Sequence, residues 1–250
     1  MRQCFSIGLF ALLVLSLPGC GGFRDTKPQL PGNLDTLCMP DYASGFEMYR
    51  YDSSTLLRIV NPWQGADSVS QWVFLSRDDE KPPKGFAGET IDVPVRRIVC
   101  MSSSYVAFLE ALGADSTICA ISGTGYIWSD KVRNRIAGGE IAEAGFDNSL
   151  NFEKLVALKP DVVFLYGLTG KNAVTDKLHE LGLKTVYIGD YVENNPLGRA
   201  EWITVFGEFT GRRELARTLF DSISNEYNRA KALVSGVEKR PEVMLHAPWQ

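Results

Sequence analysis

The chain has 250 residues, 45% apolar and 22% charged, enough to bury a sizeable core in one or two domains and too much to leave it disordered or membrane-embedded. A formal net charge of -4, with no basic cluster beyond pairs such as Arg96-Arg97 and Arg212-Arg213, leaves no electrostatic footprint for nucleic acid.

The first 19 residues read as a signal peptide. Arg2 supplies a positive start, and the apolar run over 5–17 is too short to cross a hydrocarbon core of ~30 Å as a helix. The run ends Leu17-Pro18-Gly19-Cys20, similar to a bacterial lipobox with Pro18 as the departure, so Cys20 is the expected lipidation site and the protein is expected to leave the cytoplasm. Residues 20–44, rich in Gly, Pro, Asp and Thr, read as a lipidated tether. Of the remaining cysteines, Cys38, Cys100 and Cys119 cannot all pair. Cys100 and Cys119 lie in apolar strand-like runs and read as buried thiols, and the sequence has no Cys-x-x-Cys pair for zinc.

Short aromatic and branched runs over 46–51, 56–60 and 71–75 predict a small β meander within 45–90, followed by a polar, proline-containing connection over 77–88. From 94 to 196 strand and helix alternate. Strands are expected over 97–101, 117–122, 161–166 and 185–188, with helices over 105–112 and 172–181, and crossover helices of this length imply a parallel sheet. The stretch 150–167 organises this lobe: Asn151 caps a short helix, Leu150 and Leu155 staple its entry, Pro160 stops it, and Val162, Val163, Phe164 and Leu165 form a strand covered on both faces. Helices over 197–210 and 212–234 follow, the second roughly 35 Å long with apolar marks at Leu215, Leu219, Ile223, Tyr227, Ala230 and Val234. Pro241 precedes a further expected strand over 243–245. The fold class is α/β: a parallel-sheet lobe with flanking helices, an N-terminal β meander and a long helix.

Several segments together resemble the periplasmic solute-binding proteins of ABC importers for iron-siderophore, haem and cobalamin. They are Arg97 to Ser104 with Leu109-Glu110-Ala111-Leu112-Gly113-Ala114, Asn151-Phe152-Glu153 through Lys159-Pro160-Asp161-Val162-Val163, and Phe209-Thr210-Gly211-Arg212-Arg213 with Ala216. The stretch 193–202 and Asn61-Pro62-Trp63 are similar to a lipoprotein branch of that family. The resemblance implies two α/β lobes joined by one rigid interlobe helix. On that reading residues 197–237 carry the linker, 241–250 begin the second lobe, and most of that lobe is absent. It also implies a monomer without intrinsic cofactor, anchored to the membrane by lipid, that captures a small-molecule metal chelate and passes it to an ABC importer permease, with Glu153 pairing with permease arginines.

The candidate ligand-binding residues lie at the C-terminal ends of the expected parallel strands. Ser103, Ser104 and Tyr105 open a helix whose free amides suit an anionic group, with plain capping as the alternative. Gly123-Thr124-Gly125-Tyr126-Ile127-Trp128 begins like a dinucleotide fingerprint but places Trp128 where glycine is needed, so it reads as a loop presenting Tyr126 and Trp128. With Tyr166 and Tyr191, these aromatics suit a flat macrocycle or catecholate, or serve as packing residues. His179 and His246 form neither a metal cluster nor a triad. The alternative function, an extracytoplasmic α/β enzyme acting on a nucleotide or ester, lacks a paired acid-base constellation, so no catalytic or metal-binding residue is assigned.

Overall fold

The computed structural model describes residues 35–146, 149–167, 173–238 and 241–242. Cys20, the strand expected over 243–245 and His246 lie outside them. The N-terminal half forms a five-stranded sheet, β1 (Asp35–Cys38), β2 (Phe46–Tyr51), β3 (Ser54–Val60), β4 (Ser70–Ser76) and β5 (Glu89–Asp92), in sequential order. The first four strands pair antiparallel, and β5 joins β4 in parallel. The three expected strands are present, and two more flank them.

The second sheet is wholly parallel: β6 (Ile98–Cys100), β7 (Ile118–Ile121), β8 (Ala142–Glu143), β9 (Val162–Leu165) and β10 (Thr185–Tyr187), in the order β10-β9-β6-β7-β8. Helices α1 (Ser103–Ala111), α2 (Asp130–Ala137), α3 (Phe152–Leu158) and α4 (Ala173–Glu180) make the crossovers. Asn151 caps α3 by accepting from the Lys154 amide at 2.9 Å, and Leu150 and Leu155 are buried in one cluster, as the local pattern predicts. Lys159 then adopts a left-handed conformation (φ 47°), and the Asp161 carboxylate accepts from the amides of Arg96 and Arg97 at 2.6 and 2.9 Å. The Lys-Pro-Asp segment thus ends a helix and pins the chain where it enters β6.

The helix expected over 197–210 is broken. Asn195 caps α5 (Pro196–Glu201) through the Gly198 amide, Trp202 ends it, and α6 (Ile203–Thr210) begins on the same residue. From Ile203 to Phe209 every residue of α6 is buried. A helix covered this fully is mostly apolar, and its buried polar groups need partners: Glu208 pairs with Arg77 and Arg213, and the Thr204 hydroxyl donates to the Glu201 carbonyl. Accordingly α6 shares one core cluster with Met48, Leu57 and Ile59 of the first sheet and with Ile98, Cys100 and Phe164 of the second. The opposite face of the parallel sheet packs on Leu155 of α3 and Leu178 of α4. The last helix, α7 (Arg213–Leu233), buries only Ala216 and Phe220. Of the apolar marks expected along this helix, Leu215, Ile223, Tyr227 and Val234 are exposed.

The tether expected over 20–44 ends sooner than its composition suggests. β1 pairs with β2, and the backbone of 41–45 is held by two buried carboxylates. Glu201 accepts from the amides of Asp41, Tyr42 and Ala43, each at 2.8 Å. Glu193 accepts from the amides of Ser44 and Gly45 at 3.0 and 2.9 Å and from the Trp202 indole at 3.0 Å. A Cβ on Gly45 would stand 2.8 Å from the Trp202 ring, so glycine is required by close approach.

The two sheets also meet at β10. The Gln71 carboxamide donates to the Thr185 carbonyl at 2.8 Å and accepts from the Tyr187 amide at 2.9 Å. It stands where the next strand of the parallel sheet would otherwise pair.

Candidate functional site

In an open parallel sheet, ligands gather beyond the C-terminal strand ends, around the point where the strand order reverses. Here that point falls between β6 and β9, whose connections leave in opposite directions. After β6, Ser102 caps α1 by accepting from the Ser104 amide at 3.3 Å. Ser103 is exposed, while Ser104 is half-buried and hydrogen-bonds to Asp190. Asp190 is buried at 7% exposure. Burial pushes its carboxyl pKa up, against the opposing pull of the Ser104 hydroxyl, the Tyr191 amide and the Arg199 charge.

Tyr105, expected at the ligand, is instead fully buried. It is the third residue of α1 and turns into the core. Its ring packs near Phe164 and Phe206, and its hydroxyl lies 3.3 Å from the carbonyl oxygens of both Leu165 and Ile188. An aromatic body needs apolar cover and its hydroxyl an acceptor, and the ends of β9 and β10 supply both. Tyr105 therefore supports the site from beneath.

The loop after β7 is where the aromatics emerge. Tyr126 is 70% exposed and Trp128 is 91% exposed. Glu143, at the end of β8, holds this loop by accepting from the amides of Gly123, Thr124 and Gly145 at 2.9, 2.8 and 2.9 Å and from the Thr124 hydroxyl at 2.7 Å. Burial alone would raise the Glu143 pKa, but these four donors outweigh it and hold it below the usual carboxylate value. Gly123 is left-handed (φ 76°), and a Cβ there would come within 2.8 Å of the Tyr126 ring and 3.4 Å of Phe146. Phe146, itself 48% exposed, stands beside Gly123 on the neighbouring loop after β8, so three exposed aromatics, the aromatic platform, lie on the two adjoining loops at this sheet edge.

On the other side of the switch point the aromatics are engaged. Tyr166 is half-buried and packs against both core clusters. The Tyr191 hydroxyl donates to the Gly167 carbonyl and accepts from the Gln64 amide at 3.3 Å. Trp63, from the loop after β3, bridges to Gly167 and packs edge-on to Tyr187 at 5.1 Å. Tyr166 and Tyr191 are therefore engaged by the fold, the packing alternative that the sequence left open beside ligand contact.

Glu153 is exposed in the first turn of α3, which begins after the loop leaving the C-terminal end of β8. Cys38, Cys100 and Cys119 are free thiols, and burial, the larger cause, together with Glu201 pushes the Cys38 thiol up to about 11. His179 lies 2.7 Å from the Thr185 hydroxyl and 3.4 Å from a Glu89 oxygen, away from the platform. Among the described residues no three His, Cys, Asp or Glu side chains are grouped to hold a metal ion, and no helix is long and apolar enough to cross a membrane.

Asp190, Glu143, Phe146 and Trp63 were not assigned roles from sequence. Only Trp63 carried a signal, through the Asn61-Pro62-Trp63 segment. The carboxylates act through contacts that no local pattern marks.

An uncharacterized lipoprotein of Methanocaldococcus jannaschii is 27% identical over 256 residues, covering 90% of this chain and 61% of the relative. A second uncharacterized lipoprotein of that organism is 28% identical over 228 residues, covering 88% and 55%. The chain thus spans between 55% and 61% of the length of these relatives. Among solved structures it is similar to a periplasmic heme-binding protein of Pseudomonas aeruginosa, with 18% identity, a TM-score of 0.45 and coverage of 56% of this chain and 47% of that one. A periplasmic solute-binding protein of Veillonella parvula gives 19% identity, a TM-score of 0.47 and coverage of 60% and 46%. The sequence model of the periplasmic binding protein family matches residues 98–250, more than half of the chain and all of the parallel sheet, and the chain belongs to that family.

Proposed function

We propose that this chain is the substrate-binding component of an ABC importer, lipid-anchored through Cys20, that captures a metal chelate of the iron-siderophore, haem or cobalamin class and delivers it to the permease. The platform carries this reading: Tyr126 and Trp128 after β7 and Phe146 after β8 stand exposed at the C-terminal sheet edge, on two loops whose amides Glu143 accepts from. Exposing three large aromatics at one sheet edge suits the cover of a flat partner. Ser103, Ser104 and Asp190 at the switch point supply polar groups for the chelate's periphery, and Tyr166 and Tyr191 wall the far side. Passive capture asks for shape and contact area, which these groups offer without a paired acid and base.

Equilibrium titration with haem, cobalamin and a ferric catecholate tests it. One of the three is expected to bind stoichiometrically without product, and Trp128→Ala is expected to weaken that ligand about tenfold or more, the equivalent of roughly 1.4 kcal/mol of lost ring contact. Saturable binding that Trp128→Ala leaves unchanged, or chemical turnover of the ligand, would sink the reading. Acylation at Cys20 is read directly from the mass of the mature N-terminus.

Glu153 is the proposed permease contact, since it is exposed in the first turn of α3. A charge reversal on a docking rim acts on association, so Glu153→Arg is expected to keep ligand affinity within about twofold while uptake falls at least tenfold. Parallel loss of affinity and uptake would place Glu153 at the ligand instead.

A further inference from the structure

A cavity of about 680 Å³ lies between the Asn61–Ala66 loop and the 191–199 segment, floored by Ser44 and Gly45. Part of its lining comes from residues N-terminal to the family match, which begins at residue 98. It sits beside β10, three strand positions from β7, so roughly 14 Å separates it from the aromatic platform.

Its chemistry is one-sided. Glu193 lines the cavity, but its carboxylate already accepts from the Ser44 and Gly45 amides, the Ser44 hydroxyl and the Trp202 indole. The Asn61 side-chain oxygen is taken by the Val69 amide at 3.0 Å. The Glu193 and Asn61 oxygens are thus occupied by the fold. Arg199 lines the same space as an exposed cation, with its guanidinium steadied by the carbonyls of Glu193 and Tyr191 at 3.3 and 3.1 Å. Trp63 and Tyr191, both fixed to Gly167, complete the wall. A steadied guanidinium beside two aromatic side chains, with neighbouring acceptors satisfied, is complementary to a planar group bearing a carboxylate.

We propose that this cavity is a subsite for a carboxylate-bearing aromatic arm of the ligand, held by Arg199 between Trp63 and Tyr191. The proposal deepens the binding reading and rests on it for the whole ligand's identity. A ligand lying on the platform reaches Arg199 only through an arm that crosses about three strand spacings, which selects large chelates with an acidic appendage.

The test uses benzoate and benzamide, equal in ring size and different in charge, against the full 250-residue chain, and follows the Trp63 indole N–H resonance assigned through Trp63→Phe. Benzoate is expected to shift that resonance saturably and benzamide at least tenfold more weakly, the usual worth of one charge-assisted hydrogen bond. Arg199→Gln should abolish the preference for benzoate. Ala66→Trp, which fills the cavity without touching the charge, should abolish both shifts, and Trp128→Ala should leave them unchanged. Equal response to acid and amide, no saturable response, or a response at Trp128 in place of Trp63 would each overturn the proposal. Because the probes never engage the platform, failure of the cavity is distinguishable from failure of the chelate reading, which is read from Trp128→Ala and the whole ligand.

Discussion

Glu201→Ala is expected to lower the melting temperature by on the order of 10 °C. The Glu201 side chain is buried, and its two oxygens satisfy three amides on a segment 158 to 160 residues away in sequence. Alanine offers no acceptor, so those amides must either stay unsatisfied or pull the 41–43 backbone into water, undoing β1 with it. Each orphaned buried amide costs about 1–3 kcal/mol, giving a total near 3–5 kcal/mol, and about 2–4 °C accompanies each kcal/mol in a protein of this size. Glu201→Gln keeps one carbonyl acceptor and is expected to lose roughly half as much. Thermal unfolding of both variants, with hydrogen exchange at amides 41–43, checks it. A shift below about 2 °C for the alanine variant would show that these hydrogen bonds contribute little net stability.

Glu143→Gln is expected to weaken ligand binding about tenfold at pH 7, with a pH signature that separates it from loss of a direct contact. Four donors converge on the Glu143 carboxylate, and glutamine would turn an amide toward some of them. The loop carrying Tyr126 and Trp128 then samples other conformations, and re-ordering it subtracts from affinity. The folded-state pKa of Glu143 is lowered, so its stabilising contribution is fully present above the ordinary carboxylate value of 4.5 and is lost as pH falls through the folded value. The wild-type loop should therefore loosen as pH falls below 4.5 and through the lowered folded value, beyond which wild type and Glu143→Gln converge. An affinity difference that persists once the Glu143 carboxyl is fully protonated, as followed by its own titration, would mean that Glu143 acts on the ligand itself.

Much of the architecture was legible because its signals are local. The four longer strands of the α/β lobe, the Asn151 cap and the Leu150–Leu155 staple follow from patterns within a few residues, and the structure reproduces them. What escaped depends on distant partners. β1 looks like tether because nothing near Asp35 announces Glu201, and α2 carries only one buried residue, Val132, too few to print a helical period. β8 has two residues. The break at Trp202 was missed because 197–210 is helical by composition, while the kink is needed to seat the indole between Phe46 and Glu193. At the site, Tyr126 and Trp128 could be placed because they follow a strand end. Tyr105 could not, because a helix-opening tyrosine turns inward or outward according to what lies beneath it.

The Gln71 carboxamide makes the two sheets interdependent in a way that bears on how the protein unfolds. By standing in for a missing strand, it closes the hydrogen-bonding rim of β10, and α6 is buried between both sheets at once. Neither sheet can lose its neighbour without baring either a strand rim or a mostly apolar helix whose Glu208 is buried. Denaturation should accordingly be one cooperative event, and a fragment pared back to the family-matched region would present β10 as an open template for strand addition from other copies, so self-association would be its first symptom.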